Sequence, residues 1–280
     1  MKSSNPVFAR SAEFNGTGAT ATATNPSQWQ IDLNGEGPPT HTGSGTGRMT
    51  LDNVVEKTAI TLGVLTAAAA VTWFAIGDFV DPTTGDVTYG KAAAFAGVGA
   101  IVGFALAMVN SFKKVISPPL VLAYALFEGA FIGAFSKIIA AYVDSPSIVF
   151  QAVLGTLVAF GGTLAAYKFF NIQVTDKFRR IVSIAGIAVV GVLILNLILS
   201  VTGVFDQGGL RGFNTLGLFV SCGLVVLAVF FLILDFDQVE RGVAAGIPER
   251  ESWRAAFGLT VTLVWLYIEI LRILAILRGN

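Results

Sequence analysis

The chain has 280 residues, 54% of them hydrophobic and only 13% charged, with a mean hydropathy of +0.73. A water-soluble domain carries about a quarter charged residues to cover its surface, so this composition excludes one and indicates an integral membrane protein. Eighteen Lys+Arg balance eighteen Asp+Glu, which leaves no basic field for nucleic acid. The lone Cys222 and lone His41 exclude an intrachain disulfide, a zinc cluster of Cys and His, and a Ser-His or Cys-His nucleophile inside the membrane.

Residues 1–48 are rich in Gly, Thr, Ser, Asn and Pro and hold no apolar run of signal-peptide length; they read as a disordered polar tail ahead of a membrane domain over 49–280. Thr50 is placed to cap a first helix, and Asp52 lies in its first turn, where the helix dipole favours a carboxylate. Seven apolar stretches then reach the roughly 20 residues that cross a bilayer. They are Thr58 to Ile76, Ala92 to Val109, Pro119 to Ala141, Ile148 to Tyr167, Ile181 to Val204, Phe213 to Leu234 and Ala255 to Leu277. No alternating strand pattern is present, which excludes an outer-membrane barrel; the expected fold is an all-α polytopic bundle. Gly99 with Gly103 and Gly129 with Gly133 are small pairs four apart that let helices approach closely in lipid.

Lys and Arg gather in the tail and in alternate loops: Lys2, Arg10, Arg48 and Lys57; Lys113 and Lys114; Lys168, Lys177, Arg179 and Arg180; Arg241, Arg250 and Arg254. The other side holds only Lys91, Lys137, Arg211 and Arg278. The positive-inside rule therefore expects a cytoplasmic N-terminus and an external C-terminus, in a plasma or inner membrane. Asp78, Asp81 and Asp86 in the first outer loop read as solvated acids, because exposed carboxylates without fixed geometry make poor ion sites.

Charges within the spans are few, and a carboxylate there costs on the order of 3 kcal/mol on insertion scales unless it meets a partner or a watery cavity. Glu128, about ten residues into the third span, reads equally as an ion or proton site and as a protonated carboxyl hydrogen-bonded to a neighbouring helix. Glu269 and Arg272 are three apart on one helical face, and mutual neutralisation is the simpler reading. Asp235 and Asp237 end the sixth span. About 200° of rotation separates them, so at most one is expected to face the bundle while the other turns to solvent or headgroups; a solvated interfacial pair stays open as well.

Phe127-Glu-Gly in the third span, Leu234-Asp-Phe-Asp-Gln-Val ending the sixth and Leu266-Tyr-Ile-Glu-Ile-Leu-Arg-Ile-Leu ending the seventh resemble the transmembrane Bax inhibitor motif family, in a bacterial branch with a long polar N-terminus. The resemblance runs over approximately Thr50 to Arg278. It implies a seven-helix fold with the last helix central, and a calcium-permeable, pH-responsive leak in bacterial and endoplasmic-reticulum members. In that family two aspartates, one at the end of the sixth helix and one in the seventh, share a proton and close the pore on the cytoplasmic side. Asp235 matches the first, but Thr262 stands at the second. A carboxylate and a hydroxyl do not titrate as a coupled pair. Glu269, seven residues further along the same face, is a substitute at a displaced depth. The family's basic partner at the end of the second helix falls at Lys113 or Lys114.

Two functions compete at this point. The first is a cation leak in which Glu128, Asp235 and Glu269 offer hard oxygens to calcium as a permeant ion, with transient sites at Asp235 and Glu128 and no fixed cofactor. The alternative is a non-conducting regulator that binds another membrane protein, such as a membrane protease, with the tail as its contact. An intramembrane hydrolase lacks support, since no histidine lies in any span and no Ser-Lys pair has catalytic spacing on an apolar helix; no lysine in the seventh span is available to form a retinal imine.

Overall fold

The computed structural model describes residues 47–79, 88–170, 172–203 and 209–279. The tail through residue 46, with His41, and the loop acids Asp81 and Asp86 lie outside the described residues. Seven helices are long and apolar enough to cross a membrane: α1 (Leu51–Ile76), α2 (Gly90–Phe112), α3 (Pro118–Tyr142), α4 (Ser147–Phe169), α5 (Asp176–Val201), α6 (Thr215–Ala244) and α7 (Ser252–Gly279). Short 3-10 turns at Gly209–Arg211 and Glu249–Glu251 precede α6 and α7.

Local signals set the helix starts. Thr50 accepts the Asn53 amide at 3.2 Å, with Asp52 in the first turn as expected. Thr175 and Asn214 cap α5 and α6 in the same way, accepting from Phe178 and Gly217. One boundary differs materially from the sequence reading: α6 continues ten residues beyond Leu234, so Asp235 and Asp237 lie inside it. The apolar run ends there, while the backbone hydrogen bonding of α6 and its packing against the start of α5 carry on.

The glycine pairs do the packing their spacing indicated. A Cβ added to Gly129 would lie 2.3 Å from the Leu65 carbonyl oxygen, and one on Gly133 would lie 2.3 Å from that of Ala69, so α3 rests backbone-to-backbone on α1. On the other side of α3, a Cβ on Gly99 of α2 would meet the Phe131 amide at 2.7 Å. Large apolar side chains such as Phe74, Ile101, Phe104, Val158 and Ile187 are exposed, which is a hazard in water and the expected outer surface in lipid.

α7 is the centre of the bundle. It packs on α1, α3, α4 and α6, and every residue from Arg254 to Thr260 is buried, which takes all faces of two helical turns. Two apolar cores meet along it, one around Phe257, Leu263 and Leu266 with Leu232 of α6, the other around Leu271 and Ala275 with Ile132 and Ile148. α5 is peripheral, burying Val182, Gly186 and Asn196 alone among its described side chains.

A short strap closes the end at which α1 begins. Met49 donates to the Ile247 carbonyl at 2.8 Å and Glu249 to that of Gly47 at 2.7 Å, flanking an antiparallel bridge between Arg48 and Pro248. Pro248 occupies the position whose amide is not called on. The tail boundary set at residue 48 therefore falls inside a structured contact with the α6–α7 connection.

Candidate functional site

Asp235 is 1% exposed, and its Oδ2 accepts the Thr262 hydroxyl at 2.7 Å across the α6–α7 contact. α6 and α7 run antiparallel, so the tenth residue before the end of one meets the eleventh of the other at a common depth. The Thr262 hydroxyl also lies 3.2 Å from the Gly258 carbonyl. Its single proton serves the shorter contact, whereas a protonated Asp235 would donate to Thr262 Oγ1 and free that proton for Gly258. The contact thus has a hydrogen-bonded arrangement in either protonation state of Asp235.

Asp237 does not turn to solvent or headgroups. It is 7% exposed, and its Oδ2 lies 2.7 Å from Arg179 of α5 and 2.9 Å from Arg241 one turn along α6. The rotation of about 200° is real, but α6 has a neighbour on both sides, α7 behind Asp235 and α5 behind Asp237. Tyr167 of α4 adds a 2.6 Å hydrogen bond to Glu240, and Arg241 reaches the Val174 carbonyl. Asp237 is therefore the anion of an interhelix cluster.

Glu269 is also buried, at 1% exposed, yet its close partner is Arg211 of the 3-10 turn before α6, at 2.8 Å. Arg272, the neighbour expected from spacing, stands 3.9 Å away. Its guanidinium instead donates to the Arg211 carbonyl and lies over the Phe213 ring, 5.1 Å from the centroid. Two helical turns, about 10 Å of rise, separate Glu269 from Thr262, so it does not stand in beside Asp235 as the missing second acid.

Glu128 differs from the other three acids: it makes no hydrogen bond or ion pair among the described residues. Its Oε2 faces α2 at Gly103, where an added Cβ would lie 2.8 Å away. It also lines a cavity of about 1020 Å³ between α3, α5 and α7. On α7 the lining runs along one face, from Arg272 and Glu269 through Trp265 to Val261, the residue next to Thr262. One end of the cavity is thus ringed by Arg211, Glu269 and Arg272, its wall carries Glu128, and its lining on α7 reaches Val261, while Asp235 and Thr262 themselves do not line it.

The structure brings Lys113 and Lys114 to the same end as the start of α7, but their side chains are exposed. Their carbonyls are what meets α7: the guanidinium of Arg254, itself 0% exposed, donates to Lys113 at 3.3 Å and to Lys114 at 3.0 Å. Its Nε pairs with Glu251 at 2.6 Å. The buried cation at this end is therefore Arg254 of α7. Sequence reasoning counted it only among the basic residues between spans, and the signal available was Glu251 and Arg254 spaced i, i+3 at a helix start. Arg211, Arg179 and the 2.7 Å Ser136–Tyr267 hydrogen bond between α3 and α7 were missed too, and they carry no local signal because their partners are distant in sequence.

Among the described residues, no three His, Cys, Asp or Glu side chains converge as a metal site. A cation meeting Glu128 would find one carboxylate, which suits passage better than tight holding. Comparison with curated proteins gives no match. The family described as Bax inhibitor 1 like, by contrast, matches residues 5–279, covering all seven spans and most of the polar tail, and the chain belongs to that family.

Proposed function

We propose that this protein is a non-enzymatic cation leak, with calcium as permeant ion, in which the cavity between α3, α5 and α7 is the vestibule and the Asp235–Thr262 contact is the closed constriction. The observation that carries this reading is Glu128: a carboxylate in the middle of a span, unpaired among the described residues, lining a cavity that runs along α7 as far as Val261. An acid in hydrocarbon normally faces a partner or water, and here the cavity is what remains to face. Arg211 and Arg272 outnumber Glu269 at the other end, so entry meets a net positive charge. That arrangement suits a slow leak over a high-throughput channel.

The Lys and Arg asymmetry supports a cytoplasmic N-terminus and an external C-terminus, which puts the vestibule on the external side and Asp235 toward the cytoplasm, in a plasma or inner membrane. Because Asp235 and Thr262 have a hydrogen-bonded arrangement with or without the carboxyl proton, the response of flux to pH is weaker than for two facing carboxylates.

Calcium entry into proteoliposomes of the pure full-length chain tests this. Asp235→Asn is expected to change the flux several-fold, Glu128→Gln to reduce it, and Thr262→Asp to steepen its pH dependence. Asp237→Asn should lower stability and leave flux per folded molecule unchanged. Equal, pH-insensitive flux in the wild type and in the Asp235, Glu128 and Thr262 variants would overturn the leak and favour the non-conducting regulator.

A further inference from the structure

The charged end of the same cavity has a second chemistry besides its effect on cation entry. At the end bounded by the C-terminal part of α7 and the turn before α6, two guanidiniums face one carboxylate, and Arg272 Nε and Glu269 Oε2 meet there as a loose 3.9 Å ion pair in which neither atom has a hydrogen bond. Arg272 and Glu269 are 6% and 1% exposed, so neither is relieved by ordinary surface solvent. Away from that end the walls are mostly apolar and aromatic, with Phe131, Phe135, Val264 and Trp265, and Glu128 as the one carboxylate. The side between α3 and α5 is edged by half-buried Phe131 and Phe135 and by Leu197, which is 63% exposed, so the cleft faces sideways into the bilayer. Its volume of about 1020 Å³ is at the upper end of the range that holds organic ligands.

We infer that this cleft binds an anionic membrane phospholipid, with the headgroup phosphate at Arg211 and Arg272 and an acyl chain along Trp265 and the α3 aromatics. Guanidiniums recognise phosphate through paired N–H donors, and Arg211 and Arg272 both line the cavity. The excess of one guanidinium over the carboxylate selects for a net negative head. The sideways opening selects a ligand already dissolved in the bilayer over a soluble anion. This inference stands apart from conduction, since a lipid site exists or fails whether or not an ion passes.

Trp265 reports the site directly. The full-length protein in phosphatidylcholine nanodiscs is titrated with brominated phosphatidylglycerol, and tryptophan quenching is recorded against brominated phosphatidylcholine, brominated stearate and inorganic phosphate. Expected is a saturable quenching component for phosphatidylglycerol alone, absent in Trp265→Phe and weakened about tenfold in Arg272→Gln. Because the arginine variant disturbs a buried ion pair and is prone to misfold, Leu197 supplies a second test at an exposed position one turn from the end of α5. Leu197→Glu should weaken phosphatidylglycerol binding and Leu197→Arg strengthen it. Equal quenching by the two phospholipids, a saturable response to stearate without one to phosphatidylglycerol, protection by inorganic phosphate alone, or indifference to the charge at position 197 would each overturn the assignment.

Discussion

Arg254→Met is the sharpest test of how the start of α7 is held. The arginine is 0% exposed, pairs with Glu251 at 2.6 Å, and donates to the carbonyls of Lys113 and Lys114 at the α2 terminus. Methionine keeps much of the volume and removes every donor. Glu251, 3% exposed, loses its guanidinium and the two carbonyls lose theirs. Removing one partner of a buried pair costs about 3–5 kcal/mol, equivalent to roughly two to three and a half orders of magnitude in the folded-to-unfolded ratio. Adding Glu251→Gln removes the stranded charge and should recover about half of that loss, since the carbonyls stay undonated. Lys113→Ala and Lys114→Ala remove only exposed side chains and should stay within about 0.5 kcal/mol of the wild type. Denaturant unfolding in detergent micelles, followed by helical circular dichroism, reads all four. If Arg254→Met unfolds within that same margin, the guanidinium is not the tie between α2 and α7; if the lysine variants fall with it, the side chains and not the carbonyls are the partners.

Three further outcomes follow from the packing and the strap. Deleting residues 1–45 should leave thermal stability in detergent nearly unchanged, whereas deletion through Met49 removes both strap hydrogen bonds and a side chain 2% exposed, for a loss of about 2–3 kcal/mol from burial alone; equal stability of the two truncations would show that the strap contributes nothing. Gly133→Ala places a methyl 2.3 Å from a backbone oxygen of α1, which cannot rotate away, so α1 and α3 must separate at a cost of about 1–3 kcal/mol; a neutral result in an unfolding titration would refute the close approach. Reporter fusions after Asp176 and after Asn280 should lie on opposite sides of the membrane, and a shared side would defeat the seven-span topology.

The seven spans were legible because a bilayer dictates composition residue by residue: each must be apolar for roughly 20 positions, and no tertiary partner alters that demand. What the chain does with its charges was far less legible, for a reason that Asp235 and Asp237 make plain. Reading two acids about 200° apart as one inside and one outside assumes a helix with a single packed face. α6 has two, so both acids are buried, one on the Thr262 hydroxyl and the other between Arg179 and Arg241. Glu269 repeats the lesson: the arginine three residues away was visible, but the one that pairs closely comes from 58 positions earlier in the chain. Spacing along a helix identifies which side chains are able to meet, and only the assembled bundle decides which do. That distinction is what isolates Glu128. Its sequence environment, Phe127-Glu-Gly, looks no more functional than that of its fellow acids, yet the bundle gives Asp235, Asp237 and Glu269 each a partner within 3 Å and leaves Glu128 lining a cavity. A fold that uses arginines and a hydroxyl on three of these acids and presents the fourth to a cavity has separated the carboxylates that tie helices together from one that has no hydrogen bond or ion pair among the described residues.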